Sequence, residues 1–375
     1  MIQNPFIISE KIVPRYFCDR EKESHELINL LNNGNNVVLL SQRRIGKTGL
    51  IQFCYQQKSI VKEYITIYID ILSTSNLQEF TFLLGKEVFE VIKHKKERMW
   101  KSFLNVVKSF SGKIGFDPMT GLPSFNLQLG DIIQPEYTLQ EIFKYLDQAE
   151  KPVIVAIDEF QQISNYPEKN VEALIRSHLL QINNCRMIFS GSEQHILSDM
   201  FTLSSRPFYQ SASFMELTEI PENLYVSFIL KMFHQHEKSI SRPLASRIYN
   251  MFDGITFYIQ RVCNGVFSNT EHRGEATEEI LNYTIDGLLG SFDVIYRVRL
   301  SQLTVKQKEL LIAIAKEKEV ERPTSVEFVK KYALSSASSV QTALKALVKY
   351  SLVTKRVGHY LIEDRFLRIW LVKNY

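Results

Sequence analysis

The sequence predicts an α/β fold in which a parallel sheet is flanked by helices and followed by a helical segment and a small terminal module. Three observations predict it. Short apolar runs at 37–40, 64–70 and 153–157 read as buried strands. Stretches of helical period separate them, at 77–100, 138–148 and 171–181. After 221 the pattern turns wholly helical, and from 301 it runs helix, helix, helix, β-hairpin.

Residues 36–48 organise the chain: Asn36-Val37-Val38-Leu39-Leu40-Ser41-Gln42-Arg43-Arg44-Ile45-Gly46-Lys47-Thr48. The strand stops at Ser41, a tight loop comes next, and Gly49-Leu50-Ile51-Gln52-Phe53 continues with helical spacing. Strand, loop and helix with a lysine at the helix start is a phosphate cradle, because backbone N–H groups of the loop and helix N-terminus point at an anion. Gly46 permits close backbone approach, Lys47 would reach the β and γ phosphates, and the Thr48 hydroxyl would coordinate Mg²⁺. The candidate nucleotide contacts are thus Ser41, Gln42, Arg43, Arg44, Ile45, Gly46, Lys47, Thr48 and Gly49. The pattern G-x-x-x-x-G-K-[ST] wants glycine where this chain has Ser41.

Such a loop needs a carboxylate for its metal. Residues 152–160, Pro-Val-Ile-Val-Ala-Ile-Asp-Glu-Phe, bring Asp158 and Glu159 to the C-terminal end of a strand, where ligands of open α/β sheets bind. Asp158 would hold Mg²⁺ through water and Glu159 would polarise the attacking water. A further strand at 186–192 ends in small polar residues. Ser190 and Ser192 are candidates to orient water near the γ-phosphate, with a plain turn as the alternative. Arg206 lies on the next loop, placed either to pair with the γ-phosphate, in cis or from a neighbouring subunit, or to make a structural salt bridge. Residues 213–217 complete the sheet.

Composition narrows the class. The 375 residues suffice for two or three domains, and 45% hydrophobic with 23% charged residues is ordinary for a soluble globular protein. Cys18, Cys54, Cys185 and Cys263 have no metal or redox spacing and read as buried free thiols of a reducing compartment. No signal peptide and no uncharged apolar stretch approaching the ~20 residues of a membrane span is present, so the expectation is a cytoplasmic protein with no membrane partner. Net charge is +4 but uneven: residues 301–375 hold 14 Lys and Arg against 7 Asp and Glu, and the other 300 hold 31 against 34. A basic terminal module suggests a polyanion partner, or simply a basic solvated surface.

Ahead of the first strand, Asp19 opens a helix with Leu27, Ile28, Leu30 and Leu31 on its apolar face, and 32–35 end it. Phe17 and Arg20 are candidates for folding over the adenine; core packing and a surface ion pair are the alternatives. Asp70 ends the second strand and caps the next segment. Residues 111–135 read as a β-hairpin insertion around Asp117-Pro118-Met119-Thr120-Gly121. Helices at 224–234, 244–253, 256–266 and 277–289 form an all-α lid. Helices at 306–315, 325–332 and 340–350, with a hairpin over 352–362, make a winged helix. Its third helix would offer Ser338, Ser339, Gln341, Thr342 and Lys345 to a major groove, with Lys355, Arg356 and His359 on or beside the wing. The domains are therefore 1–218, 219–300 and 301–375.

Ser-Gln-Arg-Arg-Ile-Gly-Lys-Thr at 41–48, Ile-Asp-Glu-Phe-Gln at 157–161, Phe-Ser-Gly-Ser at 189–192, Ser-Arg-Pro-Phe-Tyr at 205–209 and the box Phe17-Cys18-Asp19-Arg20-Glu21 together resemble the archaeal-type ATPases. These belong to the STAND branch of the AAA+-like P-loop NTPases and are related to the origin-recognition ATPases. The resemblance covers the whole chain. It implies a sheet of order 5-1-4-3-2, ATP as nucleotide, and a switch between ADP and ATP states. It supports Lys47, Thr48, Asp158 and Glu159 in the roles above and makes Arg206 a sensor or finger. Besides Ser41, the chain departs from the family at Gly254-Ile255-Thr256, where Gly-x-Pro is frequent. The expected function is a Mg²⁺-dependent ATP-binding and hydrolysing switch whose winged helix engages double-stranded DNA, a protein partner or a second copy of the chain. The alternative is a non-hydrolysing nucleotide-stabilised scaffold or DNA-binding regulator.

Overall fold

The structure is a computed structural model that describes residues 4–8, 14–92, 103, 113–116, 123–126 and 132–375. Seven strands come first in the chain: β1 (Val37–Ser41), β2 (Ile65–Asp70), β3 (Lys113–Phe116), β4 (Pro123–Asn126), β5 (Val153–Asp158), β6 (Cys185–Gly191) and β7 (Ser213–Leu217). Five of them form one sheet in the order β2-β5-β6-β1-β7, with every pairing parallel. Counting the sheet strands alone, this is the order 5-1-4-3-2 that the resemblance implies. β3 and β4 pair only with each other, antiparallel, as the expected hairpin insertion. The turn proposed for it at 117–121 lies outside the described residues.

The strands are apolar because helices cover both faces of a parallel sheet. Every residue of β5 is buried, and Val37, Val38 and Leu39 of β1 have no exposed surface. The helices Lys47–Tyr55, Leu77–Ile92, Pro135–Asp147, Val171–Leu179 and Gln194–Thr202 make the crossovers. Phe160, Phe189, Phe201 and Phe208 stack against one another on one side, with Phe160 and Phe189 centroids 4.5 Å apart. Phe160 directly follows Glu159, so this cluster anchors the chain where it leaves β5.

Register places the site. In the parallel ladders Asp70 lies beside Asp158, Leu39 beside Ser190 and Leu40 beside Gly191. The C-terminal ends of β1, β2, β5 and β6 therefore meet at one edge, where a parallel sheet presents its binding crevice.

One cap differs from expectation. Asp19 does not cap the helix Glu21–Asn32. Arg20 occupies the N-cap position in the left-handed region, at φ 72°, and no side chain caps that end. The Arg20 guanidinium instead reaches Glu23 at 2.6 Å and the Thr218 carbonyl at 2.7 Å. These two bonds hold the turn at the helix start, where Asp19 is also in the left-handed region, at φ 51°.

The described residues pack as two compact units. One holds Ile7–Tyr225 and Gly254–Phe257; the other holds Met1–Phe6, Val226–Asp253 and Tyr258–Tyr375. The second unit is helical, with a two-residue parallel ladder of β8 (Ser239–Ile240) and β9 (Glu275–Ala276) added to the expected helices. Its helix from 278 runs to Ser301, well past the expected end at 289. Gly287 and Gly290 stay helical there because a long apolar face carries the helix through them: Leu281, Ile285, Leu289, Tyr296 and Leu300 are buried. The terminal module has helices Val305–Glu317, Val326–Lys331 and Ala337–Lys349, then β10 (Val353–Arg356) and β11 (His359–Ile362) as an antiparallel hairpin. Hydroxyl caps set these starts: Thr304 forms a capping box with Gln307, Ser325 accepts from Phe328 N, and Ser336 accepts from Ser339 N. A last helix, Arg365–Asn374, was not expected. Its start is nevertheless written in the chain, since Asp364 accepts from Phe366 N and Leu367 N.

Truncating Phe160 to Ala removes a fully buried ring from the aromatic cluster. A loss of about 3–5 kcal/mol is expected, measured as a shift in denaturant midpoint.

Candidate nucleotide-phosphate site

The loop after β1 explains why serine can stand where the motif wants glycine. Ser41 is buried and is not among the positive-φ residues; the left-handed turns are taken later, by Arg44 at φ 69° and Gly46 at φ 106°. Only Gly46 thus needs glycine's conformational freedom to close the loop comfortably. A Cβ built on Gly46 meets nothing within 4 Å, so its outer side faces open space.

Lys47 is the first residue of the helix Lys47–Tyr55, and no side chain caps that helix. The first-turn N–H groups of Lys47, Thr48 and Gly49 have no acceptor within the helix. Together with the helix dipole they form an anion cradle. Ile45 is buried under the loop, and Arg43 and Arg44 are exposed.

Asp158 is the hub. Its Oδ1 accepts from Lys47 Nζ at 2.9 Å, Ser190 Oγ at 2.8 Å and the Glu159 N–H at 3.0 Å. Its Oδ2 accepts from Thr48 Oγ1 at 2.9 Å and Tyr68 Oη at 2.8 Å. Burial alone would raise its pKa, but the Lys47 ammonium and these donors outweigh it and hold the carboxyl below the usual range. Glu159 comes next in the left-handed region, at φ 56°. Its Oε1 lies 3.4 Å from Lys47 Nζ. Its Oε2 accepts from Gln161 Nε2 at 2.6 Å, Ser192 N at 3.1 Å and Ser192 Oγ at 2.8 Å. Here too burial pushes the pKa up, and Lys47, Gln161 and Ser192 bring it below the usual value. Arg43 Nε donates to Ser192 Oγ at 3.1 Å, tying the phosphate loop to the end of β6.

The structure thus brings together Ser41, Arg43, Gly46, Lys47, Thr48, Asp158, Glu159, Ser190 and Ser192. Other candidates sit elsewhere in this unit. Arg206 bonds Glu172 and reaches Ser164 Oγ at 3.3 Å. Phe17 stacks on Phe53 with ring centroids 4.5 Å apart. Arg20 bonds Glu23 and the Thr218 carbonyl. Residues 254–257 pack with the phosphate loop: the Phe257 N–H donates to the Arg44 carbonyl at 3.1 Å, and the Arg44 guanidinium lies 4.9 Å from the Phe257 ring centroid. The segment that departs from Gly-x-Pro is therefore in contact with the loop, and the Thr256 hydroxyl is buried without a partner.

Tyr68 and Phe257 carry no signal of this site in the sequence, and Gln161 carries one only as the end of a motif. Tyr68 is an ordinary alternating aromatic in a strand, and its approach to Asp158 depends on β2 pairing with β5. Gln161 closes the Ile-Asp-Glu-Phe-Gln motif at 157–161, but the motif by itself gives the glutamine no role.

With this geometry, the comparisons with known proteins are informative. A family model described as "ATPase domain predominantly from Archaea" matches residues 17–262. The chain belongs to this ATPase family. A model described as "Probable winged helix domain" matches residues 294–373 of this ATPase. An uncharacterized ATP-binding protein of Methanocaldococcus jannaschii is 24% identical over 299 residues, covering 72% of this chain and 74% of that one. Among solved structures, a Walker-type ATPase of Pyrococcus abyssi superposes with TM-score 0.66 at 18% identity, covering 98% of this chain and 99% of that one. The ORC2 protein of Aeropyrum pernix, in its ADPNP-ADP complexes, superposes with TM-score 0.61 at 15% identity, covering 98% and 96%.

Removing the Lys47 ammonium leaves the buried Asp158 and the half-buried Glu159 carboxylates without their shared counterion. Lys47→Met is expected to cost about 3–5 kcal/mol at pH 7. In the wild type both acids have folded pKa values below their unfolded ones. Their contribution is therefore present above about pH 4–5 and is lost as pH falls through the folded values. The penalty of Lys47→Met should accordingly shrink as pH falls below about 4–5, where the acids take protons in either protein. Thermal unfolding of both proteins across that range checks the sign.

Proposed function

We propose that this ATPase is a Mg²⁺-dependent molecular switch of the STAND type, with ATP bound on residues 41–49 and hydrolysed at Glu159. The observation that carries the reading is the shared counterion: Lys47 Nζ bridges Asp158 and Glu159 at the mouth of an uncapped helix. A triphosphate arriving at that N-terminus competes for Lys47. Transfer of the ammonium to the phosphates then leaves both carboxylates ionised and available, one to a cation and one to water.

The donors suit Mg²⁺. Thr48 Oγ1 and Asp158 Oδ2, 2.9 Å apart, are hard oxygens that would hold the ion, Asp158 through water. Among the described residues no cluster of three or more His, Cys, Asp or Glu side chains could hold a metal by itself, which fits an ion that completes its shell with phosphate and water oxygens. When bound, the ion neutralises charge developing on the phosphates. Glu159, held by Gln161 and Ser192, acts by orienting water. That is adequate for a loose phosphoryl-transfer transition state. Ser190, bonded to Asp158, orients the metal-side carboxylate. Phe17 and Arg20 belong to the segment before β1 that would border the adenine. Arg206 would serve as a sensor or finger on exchanging Glu172 for phosphate, in cis or in trans.

The functional division has a nucleotide core over 1–218, a lid over 219–300 and a winged helix over 301–375. The exposed face of the helix Ala337–Lys349 supports DNA as the partner of the last. Ser338, Gln341, Thr342 and Lys345 are exposed, and the helix carries no carboxylate. Such a face offers donors to phosphates and base edges. Lys355 is exposed on the wing, while Arg356 is 3.8 Å from Glu363. A protein partner or a second copy of the chain on the same face is the competing reading. No helix among the described residues is long and apolar enough to cross a membrane, and a cytoplasmic setting is consistent with four buried free thiols.

Glu159→Gln should retain ATP binding and lose hydrolysis, measured by phosphate release beside nucleotide titration; normal turnover in that variant removes Glu159 from the mechanism. For DNA, log affinity should fall linearly with log salt, and Lys345→Ala or Lys355→Ala should each lower the slope by about 1. Binding to duplex that is indifferent to salt would point to the protein-partner reading.

A further inference from the structure

Gln161 has no role in the proposed hydrolysis as it stands, yet its placement is unusual. It is buried, with 4% of its surface exposed. Its Nε2 donates to Glu159 Oε2 at 2.6 Å, while its Oε1 is buried and has no hydrogen-bond partner among the described residues. The amide orientation follows from chemistry, because a carboxylate oxygen accepts and the nitrogen must face it. A buried carbonyl without a partner is unfavourable. The side chain is kept in that state by its bond to Glu159.

Its neighbours are built around it. A Cβ at Gly191 would lie 2.0 Å from Gln161 Oε1, so Gly191 leaves the space in which the amide sits. Ser192, the next residue, gives Glu159 Oε2 two more donors. Ser192 Oγ spends its proton on Glu159 and therefore accepts from Arg43 Nε. One oxygen of Glu159 is saturated by donors from Ser192, just after β6, and from the turn after β5. Among the described residues, the other, Oε1, touches only Lys47, at 3.4 Å.

We propose that Gln161 is a positioning residue for hydrolysis: with Ser192 it pins Oε2 of Glu159 and presents Oε1 as the oxygen that receives the attacking water. This rests on the assignment of Glu159 above. Gln161 does not touch the reacting atoms. It acts by fixing the rotation of a carboxylate whose backbone is already held in the left-handed region. Arg43 extends the pin to the phosphate loop, so the orientation of Glu159 depends on how that loop is held.

The test compares three variants of the full chain: Gln161→Leu, which conserves volume but removes the donor and the orphaned carbonyl; Gly191→Ala, which displaces the amide; and Glu159→Gln. ATP affinity, KM, kcat and thermal midpoint are measured for each. A positioning role predicts that Gln161→Leu loses at least about tenfold in kcat, with ATP affinity and KM retained and a midpoint equal to or above wild type. Gly191→Ala should lose kcat in the same way. Two results overturn the inference: unchanged turnover in Gln161→Leu while Glu159→Gln is inactive, or a loss of kcat accompanied by lower ATP affinity and a lower midpoint, which makes Gln161 structural. Unchanged turnover in Glu159→Gln overturns the underlying reading instead.

Discussion

One ammonium group between two carboxylates governs this molecule. Lys47 Nζ lies 2.9 Å from Asp158 and 3.4 Å from Glu159, with both the lysine and Asp158 almost fully buried. Desolvating three charges is costly unless each is paired and bonded. Here Thr48, Tyr68, Ser190, Gln161 and Ser192 satisfy the remaining oxygens. Those donors come from β2, β6, the phosphate loop and the turn after β5. The cluster thus constrains the strand order as well as the chemistry, because it forms only if β5 lies between β2 and β6 with their ends level.

The same cluster connects stability to function. In the proposed reading, a nucleotide bound at residues 41–49 would draw Lys47 toward phosphate and change the partners of Asp158 and Glu159. The loop that would sense this is tied on two sides. Arg43 bonds Ser192 at the end of β6, and Arg44 bonds and stacks with Phe257. Phe257 lies one residue before the chain enters the second compact unit at Tyr258.

Much of this was legible in the sequence, and the rest was not for identifiable reasons. Lys47, Thr48, Asp158 and Glu159 announce themselves because their chemistry is local to a strand end or a helix start. The sheet order was not local; it came from the resemblance carried by several motifs at once. Tyr68 was hidden because its contact with Asp158 is made across strands 90 residues apart. Arg20 was read from its place in the segment before the first strand, whereas its bond to the Thr218 carbonyl belongs to a distant loop. The last helix was missed although Asp364 caps it and Phe366, Leu367, Trp370 and Leu371 give it a buried face. Ser41 looked like a weakened motif because the pattern encodes glycine. The backbone shows that the left-handed turns fall at Arg44 and Gly46 instead.

The most direct measurement is a structure of the full chain with Mg²⁺ and a non-hydrolysable ATP analogue. Lys47 Nζ should then lie on phosphate oxygens, Thr48 and Asp158 should face the ion, and Glu159 should have lost its contact with Lys47. Nucleotide bound away from residues 41–49, or Lys47 still held by both carboxylates beside a bound triphosphate, would contradict the assignment of this ion cluster as the switch.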